Sequence, residues 1–453
     1  MTNNDTQQLP RVIIVGAGLG GIALGIFLDR LKIPFHIYER AEKVKPLGSV
    51  MGFTASTLMA FEQLGLVDEI RKLSLPTSGM MIYNEKLDFL GDFSTRETEG
   101  LTGYPLLLFP RPDLYALLFS QIPAERISLG AKVTSVDQND SGVTITLQDG
   151  TQDQGDILIG ADGAYSAVRQ GLYKQLESKG LLPDSDKENL HMGHVCMVGT
   201  TGPLDPAKYP VLKEETSHFH RVLGPAGTAH SWLTANTRGN RIAWSLAVQL
   251  GSSTEDDDTA LRNSEWNPKT NESMIQTFRD YPVTVGGTLG ELIDATAPDM
   301  ISRVALEEKL FETWHHGRTF LPSAGQGAQS AIQDALILAN CFNDMTDKST
   351  RSIEAALASF HEHRYPIIQY QMQRSDTLAK LMYGQTWKER LLRYVIFNWI
   401  PKSVQTSQLQ KDMSYRPQAN FLPLAETKGS GPVQPQWDSK KKTDEIEQSR
   451  VAV

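Results

Sequence analysis

After ten mostly polar residues the chain runs through a short apolar stretch, Val12 to Val15, a glycine-rich turn, a helical pattern from Gly20 to Leu31 and a second apolar stretch, Phe35 to Tyr38. Short apolar runs on either side of a helix-period segment predict one βαβ unit with strands buried on both faces. A second helix is predicted from Thr54 to Leu64, with Thr54 or Ser56 as cap and Gly65 as stop. A third begins at Pro112, where Leu114, Leu117, Leu118 and Ile122 follow at helical spacing. Ala131 to Leu147 alternates polar and apolar positions around Asp140-Ser141-Gly142, the pattern of a β-hairpin. Asp156 to Gly160 reads as a buried strand that stops at the turn Ala161-Asp162-Gly163.

From about Gly171 to Met300 the pattern changes. Strand-like stretches such as Ser231 to Asn236 and Arg241 to Leu250, joined by Arg238-Gly239-Asn240, predict an antiparallel sheet rather than further βαβ units. This stretch is expected to be a substrate-facing lobe inserted into the nucleotide domain. Gly325-Gln326-Gly327 then leads into a helix from Ala328 to about Phe342, and helical patterning continues from Ser352 to about Trp399. Beyond Pro423 the chain is polar, with Lys440 to Lys442 set against Asp444, Glu445 and Glu447, and is expected to be disordered.

With 453 residues, 40% of them hydrophobic and 21% charged, the chain has the size for two large lobes and the composition of a globular protein. Its net charge of −9 argues against nucleic acid as a partner. Cys196 and Cys341 stand far apart and in no ligand spacing, so neither a disulfide framework nor a metal site is expected. The start lacks a secretory pattern and no apolar run approaches the ~20 residues of a spanning helix, which points to a cytoplasmic protein. Leu391 to Pro401, aromatic-rich beside Arg390 and Arg393, reads as a core helix, with peripheral contact to an intracellular membrane as the alternative.

The candidate chemistry starts at Gly16-Ala17-Gly18-Leu19-Gly20-Gly21, which matches G-x-G-x-x-G between strand and helix. Gly16 allows the tight turn, Gly18 lets backbone approach a pyrophosphate, and Gly21 lets helix and strand pack closely. Glu39 ends the next strand, where its carboxylate can accept from ribose hydroxyls. These elements suit FAD and NAD alike. His218 and His220 in the inserted lobe are candidate pocket residues, although scattered histidines more often sit on a surface or in a satisfied core.

The segment Asp156 to Arg169 (DILIGADGAYSAVR) resembles the second fingerprint of flavoprotein hydroxylases, though an Asp-Gly turn after a strand needs no ligand. Taken with Pro46 to Leu66, Arg111 and Pro322 to Asp334, the order of segments resembles the FAD-dependent aromatic-hydroxylase-type (group A) monooxygenases. It looks closest to fungal members that epoxidise meroterpenoids and indole diterpenes. The resemblance implies an α/β fold: a Rossmann-type FAD-binding domain (1–170 and 301–345), an inserted antiparallel-sheet substrate lobe (171–300), C-terminal helices (346–422) and a tail (423–453). It implies that Gly16, Gly18 and Gly21 hold the FAD pyrophosphate and Glu39 the adenosine ribose, that Gly52 lies along the flavin, and that Arg111 reaches the ribityl or pyrophosphate region. Asp162 and Gly163 would support FAD indirectly, and Gly325, Gly327 and Ala328 would offer N–H groups to the flavin ring. Arg111 could equally be a surface arginine before a helix, and the Gly325 turn a plain cap built on Ser323. NADPH and O₂ would be co-substrates and a hydrophobic prenylated molecule the oxygen acceptor, with no catalytic side chain named.

One feature departs from the family. Its members carry a strand ending in Gly-Asp about a dozen residues before the Gly-rich turn, and that Asp bonds the ribityl chain. Here Gly317-Arg318-Thr319-Phe320 runs directly into Leu321-Pro322-Ser323, and no Asp or Glu lies between Glu312 and Asp334. The strand and its Asp are therefore expected to be missing, which raises an FAD-depleted, inactive chain as one alternative function and an NAD-dependent dehydrogenase as another.

Overall fold

A computed structural model of the chain describes residues 9–43, 48–188, 191–225, 227–228, 230–249, 268–321, 327–383 and 387–436. The first βαβ unit forms as its pattern predicts: β1 (Val12–Val15), α1 (Leu19–Leu31) and β2 (Phe35–Tyr38). Then come β3 (Val50–Phe53), α2 (Ala55–Gln63), β4 (Leu75–Thr77), β5 (Gly79–Tyr83), β6 (Phe89–Ser94) and β7 (Leu106–Pro110). They are followed by α3 (Arg111–Phe119), β8 (Ile127–Ser128), the meander β9 (Val133–Asn139), β10 (Gly142–Leu147) and β11 (Gln152–Gly155), then β12 (Ile157–Gly160) and α4 (Ala167–Ser178).

β1 is apolar at all four positions because it is the inner strand of a parallel sheet with both faces covered. Val12 stands opposite Phe35 of β2 on one side and Ile157 of β12 on the other. Helix α1 covers one face with Ile22, Ala23, Ile26 and Phe27. Against it packs α5 (Gly327–Asn343), which is buried almost all round from Ser330 to Phe342.

The second lobe is a seven-stranded sheet built on β13 (His191–Thr200), β14 (Phe219–Leu223), β15 (His230–Thr237), β16 (Arg241–Gln249) and β17 (Ser302–Glu308). Its order is β17-β13-β16-β15-β14-β5-β6, so two strands from residues 79–94 and one beyond residue 300 join it. The expected lobe boundary of 171–300 is corrected accordingly; β13 to β17 pair antiparallel as expected, and the junction of β14 with β5 is parallel. Sheet membership follows which edge a strand can pair and bury against. Ile82 of β5 meets Leu223 of β14 in a small core closed by Ile396 and Phe397. The lobe is pinned to the nucleotide domain by an ion pair between Arg241 and Asp113 and by Thr200 Oγ1 donating to Gly48 O at 3.4 Å.

The last helices are α6 (Thr350–Tyr383), α7 (Trp387–Trp399) and α8 (Lys402–Ser414). The tail expected to be disordered from residue 423 instead follows the surface as an ordered strap through Gln436. Gly431 N–H donates to Leu101 O at 2.8 Å, Lys428 pairs with Glu62 at 2.7 Å, and Gln434 N–H reaches Ser414 O at 2.9 Å. Backbone hydrogen bonds hold it, so its polar composition is no obstacle. Residues 437–453, with the Lys440 to Lys442 run, lie outside the described residues.

Helices α5 and α6 are locked together by a buried ion pair: Arg364, 0% exposed, donates through Nε to Asp334 Oδ1 at 2.8 Å, and Asp334 is itself only 2% exposed. Removing one member leaves a charge in a dry interior, which typically costs about 3–5 kcal/mol. Asp334→Ala is therefore expected to lower the unfolding free energy by about that amount in denaturant titrations. A loss below about 1 kcal/mol would show that the pair contributes little.

Candidate functional site

The glycine turn sits where β1, β12 and α1 meet. Gly16 has φ +104°, and a Cβ there would lie 2.3 Å from Ala161 O; a Cβ on Gly21 would lie 2.1 Å from Gly16 O. Both positions exclude a side chain for packing reasons alone. Gly18 differs: its nearest neighbour would be Ala161 O at 4.0 Å, so its face is open. The loop is held from three sides. Gly16 N–H donates to Tyr38 O at 2.8 Å, Ala17 N–H donates to Glu39 Oε2 at 2.8 Å, and Tyr115 Oη donates to Ala17 O at 2.9 Å. Burial, then the nearby Glu39 carboxylate, push the Tyr115 phenol above its usual pKa and keep it a donor. Tyr115 was not among the expected residues; its one sequence signal is its place a helical turn after Arg111.

Two cavities open from this turn. One, of about 320 Å³, lies between Gly18, Glu39, Arg40, Lys132, Asp162 and Gly163. The Glu39 carboxylate faces it with one oxygen on Ala17 N–H and the other on Ala41 N–H, which leaves each oxygen a lone pair. Asp162 caps α4, its Oδ2 accepting from Ala167 N–H at 2.7 Å. Its buried Oδ1 has no hydrogen-bond partner among the described residues. The other cavity, of about 540 Å³, begins at Gly18, Leu19 and Gly20 at the start of α1 and reaches Gly327, Ala328 and Ala331 at the start of α5. Gly18, Ala161 and Gly163 border both, so the two form one groove. The starts of two helices thus line it, where a helix carries partial positive charge.

Arg111 and Met51 line the larger cavity. Arg111 N–H bonds Ser49 O at 2.9 Å, and Gly48, with φ +133°, lies so close to the arginine side chain that a Cβ would come within 2.9 Å of its Cδ. Gly52 does not line the cavity: a Cβ on it would meet Leu108 at 2.9 Å and Leu106 at 3.2 Å. Successive strand residues face opposite ways, so the residue presented to the groove is Met51. Gly325 lies outside the described residues, as does the whole segment 322–326. His218 and His220 do not border the groove. His218 Nε2 pairs with Glu214 at 2.5 Å, while His220 Nδ1 meets Thr284 Oγ1 at 2.7 Å and burial pushes its pKa down to about 4.

The expected loss of a strand is corrected in part. The last two strands are β18 (His315–His316) and β19 (Thr319–Phe320), and β19 pairs parallel with β12, Thr319 opposite Leu158 and Phe320 opposite Ile159. The strand's beginning survives because Phe320 is a buried anchor, 4.7 Å from the ring of Phe360. Arg318 fixes the hairpin by donating to Asp140 O at 2.8 Å and Asp156 O at 3.1 Å. The strand then ends early: Leu321 N–H turns back to Trp314 O at 2.7 Å, and neither β19 nor Leu321 supplies an acid. Asp334 borders the same cavity but is held by Arg364. Where an acid was expected the wall is apolar, formed by Ile159, Phe320, Leu321 and Leu338.

A family model described as an FAD binding domain matches residues 10–375. The chain belongs to that family. Among its relatives, the FAD-dependent monooxygenase atmM of Aspergillus flavus is 25% identical over 95% of this chain and 90% of its own. The FAD-dependent monooxygenase paxM of Penicillium paxilli is 27% identical over 93% of this chain and 89% of its own. The crystal structure of Klebsiella pneumoniae HpxO complexed with FAD and uric acid superposes with a TM-score of 0.70 at 19% identity, over 94% of this chain and 100% of that one. It shares the fold.

The groove of this FAD-binding chain accommodates the dinucleotide end well: an open glycine face, a helix N-terminus, a carboxylate with free lone pairs and an orphaned buried oxygen at Asp162. Gly16, Gly18 and Gly21 would hold the pyrophosphate and Glu39 the adenosine ribose, with Arg111, Gly327 and Ala328 toward the other end. Gly18→Ala should fold normally, because its Cβ meets nothing closer than 4.0 Å. It should nevertheless weaken FAD roughly ten- to a hundredfold by blocking charged hydrogen bonds that contribute about 1.5–3 kcal/mol. Gly21→Ala should instead destabilise the fold itself by at least about 1–3 kcal/mol, since its clash is with backbone. Fluorescence titration with FAD and thermal melts separate the two. Equal behaviour of both variants would contradict the assignment.

Proposed function

We propose that this chain, a member of an FAD-binding family of flavin monooxygenases, uses NAD(P)H and O₂ to epoxidise or hydroxylate a hydrophobic, prenylated secondary metabolite. The observation that carries the reading is the two-part groove, lined by the starts of both α1 and α5. When bound, FAD supplies the redox chemistry, taking electrons from the nicotinamide and passing one oxygen atom of O₂ to the substrate. The chain's own part is positioning and electrostatics. The glycine turn and Glu39 would hold the pyrophosphate and the adenosine ribose, and the first turn of α5, at Gly327 and Ala328, would stabilise negative charge at the ring. The apolar wall of Ile159, Phe320, Leu321 and Leu338 keeps water from this part of the groove. The substrate class rests on the resemblance to fungal epoxidases. Such a molecule partitions into bilayers, so peripheral contact with an intracellular membrane belongs to the proposal.

The short β19 supports a second reading, in which the chain holds FAD poorly and is inactive. Family membership leaves the dehydrogenase alternative without support. The two remaining readings part in one experiment: purify the chain with FAD present, measure flavin per chain, and follow NADPH-dependent oxygen transfer to a prenylated indole. An insertion that extends β19 after Leu321 with a Gly-Asp continuation is then compared. If the missing Asp limits binding, the insertion should tighten FAD by roughly ten- to a hundredfold, the worth of one charged hydrogen bond, and raise turnover. A parent chain that already carries one FAD and turns over, with no gain from the insertion, removes the inactive reading.

A further inference from the structure

Helix α7 has two apolar arcs. At 3.6 residues per turn, Ile396 and Phe397 lie on one side and Trp387, Leu391 and Tyr394 form a stripe on the other. The first arc is docked: Phe397 sits edge-on to Phe93 at 5.3 Å and rests on Gly91, where a Cβ would come within 2.5 Å of its ring. The second arc is bare. Trp387 and Trp399 are 65% and 72% exposed, and Leu391, Leu392 and Tyr394 are each more than half exposed. α7 has no buried residue, so the expected core helix is instead a surface helix docked through Ile396 and Phe397.

The charges beside this face indicate what covers it. Lys388, Arg390 and Lys402 stand near it, and residues 387–404 hold a single acid, Glu389, in a chain whose net charge is −9. Pairing the face with a second copy of itself would bring like charges together, because a two-fold interface juxtaposes the same patch. An anionic surface with an apolar interior answers both the bases and the aromatics, and Trp and Tyr favour the headgroup level of a bilayer. Among the described residues no helix is long and apolar enough to cross a membrane, so the contact would be in plane. α7 rests on β6, the edge strand of the substrate lobe, so docking turns that lobe toward the lipid.

We propose that the bare face of α7, formed by Trp387, Leu391, Leu392, Tyr394 and Trp399, docks flat on an anionic lipid bilayer. The proposal deepens the peripheral contact suggested for the function, and it is tested without substrate or NADPH, so its failure leaves the monooxygenase reading standing. The full-length chain is floated with vesicles of phosphatidylcholine containing phosphatidylserine, and with phosphatidylcholine alone. The expected result is flotation with the anionic vesicles, weakened by salt, and quenching of tryptophan fluorescence by brominated lipid in the unaltered protein. Leu391→Glu combined with Trp399→Glu, both at exposed positions, should lower the bound fraction at least tenfold with the melting temperature unchanged. Trp387→Ser is the milder variant should the pair disturb folding. A chain that stays with the lipid-free fraction, variants that float equally well, or a lipid-independent shift from dimer to monomer in the variants would each overturn the proposal.

Discussion

The carbonyl oxygen of Ala161 would stand 2.3 Å from any Cβ on Gly16, and the carbonyl oxygen of Gly16 would stand 2.1 Å from any Cβ on Gly21. Three backbones meet there: the end of β1, the end of β12 and the first turn of α1. Because they come so close, the N-terminus of α1 is delivered to the carboxyl ends of the central strands, and the second fingerprint at Asp162-Gly163 lies beside the first. The groove, the position of Glu39 and the facing start of α5 all follow from that approach.

The groove's two parts are built differently. Around the smaller cavity, Glu39 shapes the loop through two backbone N–H groups and keeps acceptor capacity, as does Asp162. Around the larger one Arg111, Arg169, Ser166, Thr313 and the Arg364-bound Asp334 join the starts of α1 and α5, while the wall beside β12 is apolar and includes a strand of two residues. We propose that the adenosine and pyrophosphate half of the cofactor contributes most of its binding. The short β19 still pairs with β12 and is anchored by Phe320, so the support of the sheet is kept at that edge.

What the sequence made legible was what is local in the chain. The βαβ unit, the hairpin at 133–147, the strand before Asp162-Gly163 and the helix after Gly327 all form where their patterns place them, because each is fixed by neighbours a few residues away. The misses are non-local or turn on a single residue's direction. Strands β5 and β6 leave their sequence neighbours for a sheet completed more than a hundred residues later, and the strap to Gln436 is held by backbone bonds that no hydrophobic pattern announces. Gly52 is expected along the flavin, whereas its neighbour Met51 is the one that lines the groove, since one position along a strand reverses the side chain. β19 survives through Phe320, whose burial against Phe360 could not be read from a stretch that also lacks its expected acid.

The central claim is that this chain holds FAD chiefly through its adenosine and pyrophosphate half. Equilibrium competition on the FAD-loaded protein measures that directly, with ADP and FMN as the two halves of the cofactor. The account predicts that ADP displaces FAD with an affinity near that of FAD itself, while FMN fails to compete. Displacement by FMN but not by ADP would contradict it.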